Sequence, residues 1–490
     1  MRRRLVCCAV AASVPACQCF VQQGLSLPSE TRIAGALSSR STHSILRAKA
    51  KGKSTAKSSG GVAKQEADVW QGFEASRHEE FLAEFWQKKP LLIRQAFSEF
   101  QSPISPDELA GLSCADDVES RIVTGGKTPG NSDWAVRHGP FDEGTFEEEE
   151  LGGSHWTLLV NEVNRHVPEV SDLLQRFAFV PNWRVDDVMI SYAARGGSVG
   201  AHVDSYDVFL LQGTGQREWS IEAQPIATAE EEYSRLVPEI DARVLEDFTA
   251  ARSWVLSPGD MLYLPPRWAH HGVSLDDACT TISIGFRAPS HRDLITFFTD
   301  AVASQRVPQT AMYQDPDLTI QANPGQIQRG AIDRARDAVR SAVVAALNDE
   351  HFFADWFGAY VTKSRRDHAG YPVPLEPDEI STVYDSPSAV VEAMKRAAES
   401  AGDGGPFLYR SEGLTFAYVE HEGEKGATLF IDGHSFHLGP GMVFAAELLC
   451  QGPRLSPRDM GHHLTGAHAG DLAHLLQQLL LGGYLYAADD

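Results

Sequence analysis

The stretch that most limits what this 490-residue chain can fold into runs from Trp183 to Pro289. It holds short β-type runs (VDDVMISY, YDVFLLQG, REWSIEA, DMLYLPP and TTISIGF) divided by glycine and proline. Strands this short, separated by turns at this density, predict a β-barrel or sandwich. The stretch also carries a histidine and a carboxylate in a telling position. His202 and Asp204 stand two apart, between a glycine-rich approach and an apolar run. In extended chain, alternate side chains share a face, so both can reach one point.

A lone HxD pair is commonly just two polar side chains facing solvent. Here a third donor is available in GDMLYLPPRWAHHG, where a β-run and a Pro-Pro turn precede His270 and His271. Either imidazole could complete the set. Two histidines and one carboxylate cover one face of an octahedral ion and leave three positions open, the facial triad of non-haem Fe(II) oxygenases. A structural zinc site would be closed by four protein donors. The open positions suit a bidentate 2-oxo acid, 2-oxoglutarate, and O2 as co-substrates.

Arg217 points the same way. After Gly213-Thr214-Gly215 the chain returns as RxWxI, which puts Arg217, Trp219 and Ile221 on one strand face. If that face is interior, the guanidinium needs an anion, because a buried unpaired charge is costly. The distal carboxylate of 2-oxoglutarate would serve as a forked partner; an ion pair with Glu218 or Asp207 is the competing reading. Ser191, on the strand entering the glycine loop, could add a hydroxyl to the same carboxylate. Ser283 and Tyr206 are weaker candidates for the pocket wall.

Around this region the texture changes. Residues 66–175 read as mixed helices and loops, with amphipathic helices beginning at Phe81 to Trp86 and spanning Trp156 to Val167. Residues 290–365 are helical, with Ile332, Ala335, Val339, Val343 and Leu347 at helical spacing. YPVPLEPD (371–378) reads as a linker. The tail predicts a helix over Ser388 to Ser400, strands at 407–410, 414–420, 428–431 and 435–438, a hairpin turn at Asp432-Gly433, and a final helix over Asp471 to Leu481. Cys114, Cys279 and Cys450 are too scattered for a disulfide framework, and no CxxC pattern is present.

Charge divides the chain. Residues 1–65 hold eleven Lys or Arg against one acid, Glu30, whereas the remainder holds 32 basic and 65 acidic residues. The acidic body argues against direct nucleic-acid binding, which needs cationic side chains for phosphates, and suits a basic protein partner. No apolar run is long enough to cross a membrane as a helix. At the N-terminus, Arg2, Arg3 and Arg4 precede the apolar Leu5 to Ala16, and a Ser-, Ala- and Lys/Arg-rich stretch follows. That is signal-sequence layout followed by transit-peptide composition. It resembles the bipartite leaders of algae with complex plastids, with Phe20 in the position of their aromatic residue. The expected address is the plastid, with the mitochondrion as alternative.

Several long segments together resemble the JmjC-type cupin oxygenases, in particular the bacterial ribosomal oxygenases that hydroxylate an arginine of large-subunit ribosomal protein sixteen. They are FWQKKPLLIRQAF (Phe85 to Phe97), SPISPDELAGL (Ser102 to Leu112), DDVMIS, GAHVDSYDVFLLQGTGQREW, GDMLYLPPRWAHHG, SIGFRAP, DWFGAYVTKSR and GGYLY. The resemblance implies an α+β chain with a JmjC/cupin double-stranded β-helix barrel, a helical dimerisation region and a C-terminal winged-helix domain. Its parts are a targeting leader (1–65), largely disordered, a catalytic domain (66–295), a helical region that makes a homodimer (296–375) and a winged-helix-like domain (376–490). It further implies His202, Asp204 and His270 as iron ligands, His270 being preferred to His271 on register, and Ser191 and Arg217 as 2-oxoglutarate contacts. A basic ribosomal protein is the implied substrate. Histidine hydroxylation, methyl-lysine demethylation and a non-catalytic cupin are the other readings. Arg195, Arg267, Trp268, Ala269 and His271 depart from the family's usual residues, and all flank the pocket mouth.

Overall fold

Sheet formation starts well before Trp183. The computed structural model describes residues 69–126, 134–147, 151–237, 243–364, 386–399, 406–421 and 426–488. The leader and YPVPLEPD therefore lie outside the described residues. The N-terminal body contains the strands β1 (Val69–Gln71), β2 (Leu91–Arg94), β3 (Ser120–Thr124), β4 (Ala135–His138), β5 (Trp156–Val160), β6 (Val185–Ala193), β7 (Asp207–Thr214), β8 (Arg217–Ile221), β9 (Arg252–Leu256), β10 (Met261–Leu264), β11 (His270–Ser274) and β12 (Cys279–Phe286). One sheet has the order β1-β2-β10-β7-β12-β6-β5-β3-β4, and a smaller one the order β11-β8-β9. Both sheets contribute residues to one cavity.

Side-chain alternation along the central strands separates two apolar layers. On β7, Phe209 and Leu211 join an aromatic core with Phe81, Phe177, Tyr263 and Phe286. Val208 and Leu210 turn the other way and pack with Trp219, Ile221, Leu262 and Leu264 between the sheets. The period of two is what sends neighbours to opposite layers. Burying each of these large side chains contributes about 1.5–3 kcal/mol.

The expected helix over Trp156 to Val167 is not formed. Trp156–Val160 is instead a strand between β3 and β6, and only Val163–His166 is helical. Every residue of WTLLV is buried, so the run shows neither helical nor strand alternation. Periodicity cannot separate a doubly buried strand from a helix segment. The helix begun at Phe81 is correct in kind and covers His78–Glu84.

Beyond the barrel, the helices His291–Gln305, Arg329–Leu347 and Glu350–Thr362 share a small core of Phe298, Ala301, Val302, Ala346 and Phe352. The tail contains the helix Pro387–Glu399, strands at 407–410, 416–420, 427–431 and 434–438, and the helix Ala469–Leu481 around a core that includes Met394, Leu429 and Leu476. Asp432 and Gly433 join Ala427–Ile431 to His434–Leu438 with φ of 47° and 82°. Two successive positive φ values are what a tight hairpin turn requires. Sequence reading missed the helices Val443–Gln451 and Pro457–Leu464 and the closing strand Leu485–Ala488.

Candidate functional site

A cavity of about 820 Å³ lies between the two sheets. Its walls include Ser191 from β6, Val208 and Leu210 from β7, Arg217 and Trp219 from β8, and Thr281 and Ser283 from β12. His202, Asp204 and His270 open onto it, with one donor atom from each lying within 4.8 Å of the others. His202 and His270 face each other across an antiparallel bridge, exchanging backbone hydrogen bonds of 3.0 and 2.9 Å. That pairing joins two segments far apart in the chain and sets their imidazoles 4.2 Å apart, centre to centre.

Both rings can donate Nδ1–H to a carbonyl two residues back. His202 Nδ1 lies 3.0 Å from the Gly200 oxygen, and His270 Nδ1 lies 2.8 Å from the Trp268 oxygen. Each bond leaves Nε2 with its lone pair toward the shared point, the arrangement that orients a metal-binding histidine. His270 Nε2 is 3.5 Å from Asp204 Oδ2. Tyr206 hydrogen-bonds Asp204, and that neighbouring carboxylate, with burial, pushes the phenol pKa far above its usual range. Tyr206 is therefore a neutral donor that steadies the carboxylate.

His270 and His271 are told apart by strand alternation. His270 is 1% exposed and belongs to the three-residue cluster. His271, one position on, is half-buried against Phe248, with ring centres 5.8 Å apart. Burial first, then the His202 charge, pushes both imidazoles down to about 4. Both are thus neutral at pH 7. In the metal-free protein the unfolded chain takes up protons near the ordinary value of 6.5 while the folded chain does not. Stability should hold above that pH and fall as pH drops toward 4, with a slope near 1.4 kcal/mol per unit from His270 alone. Thermal melts of the metal-free protein at pH 7, 6 and 5 check this; a flat profile would contradict it.

Arg217 is 2% exposed, and its Nε and Nη2 have no hydrogen-bond partner. Neither acid considered as a partner reaches it. Glu218 faces outward, and Asp207 is held by Tyr263 Oη at 2.7 Å, Gln87 Nε2 at 2.9 Å and Arg184 Nη2 at 3.5 Å. Trp219 Nε1 is a second buried donor without a partner. Its ring is held from behind by Gly272, where a Cβ would come within 2.7 Å. Buried donors left open are rare in native proteins. Two residues with orphan donors on one cavity wall fit an anionic ligand with several acceptor oxygens. Ser191 Oγ, 3.5 Å from the Thr281 carbonyl, is only loosely engaged.

The structure brings together His202, Asp204, His270, Arg217 and Ser191 in this cavity, with Tyr206 and Ser283 also on its wall. Sequence reading missed the carbonyl anchors of the imidazoles and the open Trp219 donor. For Trp219 the signal was present in its shared parity with Arg217. For the carbonyls, nothing local reveals where the loops will turn.

Comparison with known proteins gives two family matches, a JmjC domain over residues 172–294 and a ROXA-like winged helix over residues 345–486. The chain is 38% identical over 303 residues to the ribosomal protein uL16 3-hydroxylase of Escherichia coli, covering 61% of this chain and 76% of that protein. It is 37% identical over 241 residues to a probable ribosomal oxygenase of Haemophilus influenzae, covering 49% of this chain and 54% of that one. The solved structure of the E. coli ribosomal oxygenase YcfD in complex with cobalt and 2-oxoglutarate superposes with a TM-score of 0.63 at 31% identity, over 84% of this chain and 97% of YcfD.

Proposed function

The chain belongs to the JmjC ribosomal oxygenases, Fe(II)- and 2-oxoglutarate-dependent protein hydroxylases, and on that premise we propose that it hydroxylates an arginine of a uL16-type ribosomal protein. The observation that carries this is the buried Arg217, whose open donors share one cavity with the His202, Asp204 and His270 cluster. In this reading the three residues hold the iron and Arg217 takes the distal carboxylate of 2-oxoglutarate, with Ser191 and Trp219 Nε1 beside it. Iron with 2-oxoglutarate and O2 supplies oxidation of an unactivated C–H bond, releasing succinate and CO2. The protein's own part is positional. The Gly200 and Trp268 carbonyls orient the imidazoles, Tyr206 steadies Asp204, and apolar walls such as Val203, Val208 and Leu210 keep water away from the reacting bond.

Arginine is favoured by the acids on the same wall. Glu119, Asp186 and Asp187 line the cavity, and this negative charge favours a cationic side chain there. The acidic body would also speed encounter with a basic protein. Mass spectrometry of the uL16-type protein, with and without the enzyme, tests this: arginine should gain one oxygen atom. Oxygen on histidine, or loss of a methyl group from lysine, would replace this reading by one of its relatives.

The catalytic region (66–295), helical region (296–375) and winged-helix region (376–490) are proposed as the working parts. The Arg329–Leu347 helix has Ile332, Val339, Val344 and Leu347 exposed, which supports a homodimer through it. A monomeric mass by light scattering would reject that. The composition of residues 1–65 supports delivery to the plastid, or failing that the mitochondrion; a fluorescent fusion that stays in the cytosol would reject both. No helix among the described residues is long and apolar enough to cross a membrane.

A further inference from the structure

Arg267 ties one wall of the cavity to the backbone of Asp204. Its φ of 68° lies in the left-handed region, which a residue with a Cβ occupies only when its surroundings hold it there. Its backbone N–H donates to the Asp204 carbonyl at 2.7 Å, and its own carbonyl accepts from the Ile226 N–H at 2.9 Å. The side chain continues in the same direction. Nε donates to the Ile226 carbonyl at 2.7 Å, Nη2 donates to the Thr228 carbonyl, and Nη1 lies 3.4 Å from Glu232 Oε2. Glu232 is 2% exposed and is also paired with Arg243.

The segment so held lies between β8 and β9 and forms part of the cavity wall through Tyr233, Leu236, Val237 and Arg243. Tyr233 stands 79% exposed at that wall, an aromatic ring with little of its own to pack on. Such a ring suits contact with an incoming chain, because aromatic side chains supply large contact area at low entropic cost. Thr228 caps the short helix Ala229–Ser234 by accepting from the Glu231 N–H at 3.1 Å, so the segment has a defined shape for Arg267 to hold.

We propose that Arg267 is a positioning residue that couples this substrate-facing segment to Asp204, so that docking of the substrate protein is felt at the carboxylate. The inference rests on the hydroxylase reading above. The link runs through one residue that contributes hydrogen bonds from both its backbone and its guanidinium fork. Lysine could replace its charge but not the fork.

The test uses the full chain with Arg267→Lys and, from the other end of the link, Glu232→Gln, each loaded with Co(II) as a visible probe. The ligand added is an arginine-containing peptide from a uL16-type protein. In the wild type, peptide should change the Co(II) absorption spectrum. In both variants that change should be lost; in the same proteins loaded with Fe(II) and supplied with O2, the peptide KM should rise about fivefold or more with a lower kcat, and the KM for 2-oxoglutarate should stay put. A variant that was only destabilised would melt earlier yet keep the spectral response in its folded fraction. Wild-type spectral response and peptide KM in folded Glu232→Gln would overturn the inference even if Arg267→Lys fails to fold. A wild type that binds Co(II) and 2-oxoglutarate but, when loaded instead with Fe(II) and supplied with O2, yields no succinate with peptide would overturn the hydroxylase reading, and this coupling with it.

Discussion

Asp204→Ala should leave a folded protein that no longer retains iron and forms no detectable hydroxylated product. The carboxylate is the sole anionic member of the cluster, and its loss leaves two imidazoles 4.2 Å apart, centre to centre. Histidines alone can still bind a divalent ion weakly, but the anchored face is broken. The side chain is 19% exposed, and Asp204 bonds Arg267 through its backbone carbonyl, which alanine keeps, so the fold should survive. Iron per chain should fall from near one to near zero by elemental analysis. Asp204→Glu should fail as well, since an added methylene pushes the carboxylate beyond the point toward which both Nε2 atoms are held. Tyr206 gives an independent readout. Without the Asp204 charge its phenol pKa should fall back toward the ordinary value, visible in an ultraviolet pH titration of the metal-free protein. Full activity in Asp204→Ala would remove the basis of the oxygenase reading.

Arg217→Met should do two opposite things. In the metal-free protein it should raise stability, because it replaces an unpaired buried guanidinium by an apolar chain of similar length. Substitutions that remove buried charge in favour of packing commonly gain about 1–4 kcal/mol. The same change should weaken 2-oxoglutarate binding by about 3–5 kcal/mol, or roughly a hundredfold to several thousandfold, since the distal carboxylate would then be buried without a partner. Calorimetric titration with 2-oxoglutarate and thermal melting of the same sample check both halves. Arg217→Lys should fall between, keeping charge but not the forked geometry. A lower Tm with unchanged 2-oxoglutarate affinity would mean that Arg217 serves the fold and not the co-substrate.

The two variants probe features of different legibility. The spacing of His202 and Asp204 could be read directly, because side-chain alternation in extended chain is local geometry. The shared face of Arg217, Trp219 and Ile221 could be read for the same reason. That Arg217 would lack a protein partner could not. Asp207 is ten residues away in sequence, yet it is bonded to Gln87, Arg184 and Tyr263 on the far side of β7. The β-strand Trp156–Val160 is not legible in the sequence, because burial on both faces erases the alternation that would mark it. Arg267 shows in the sequence only as a departure from the family's usual residues, and its bonds to Asp204 and Glu232 cross 63 and 35 residues of chain.

By itself, then, the sequence determined whatever depends on a few consecutive residues. It set the parity of the HxD pair, the β-runs of the barrel, the hairpin at Asp432 and Gly433, and the helical spacing from Ile332 onward. Tertiary structure alone decided which of two adjacent histidines faces the cavity, which buried donors stay open, and which loop holds Asp204 from behind. These outcomes follow from strand register and packing between distant segments, and a one-residue slip of β11 against β8 would exchange His270 for His271 without changing any local preference.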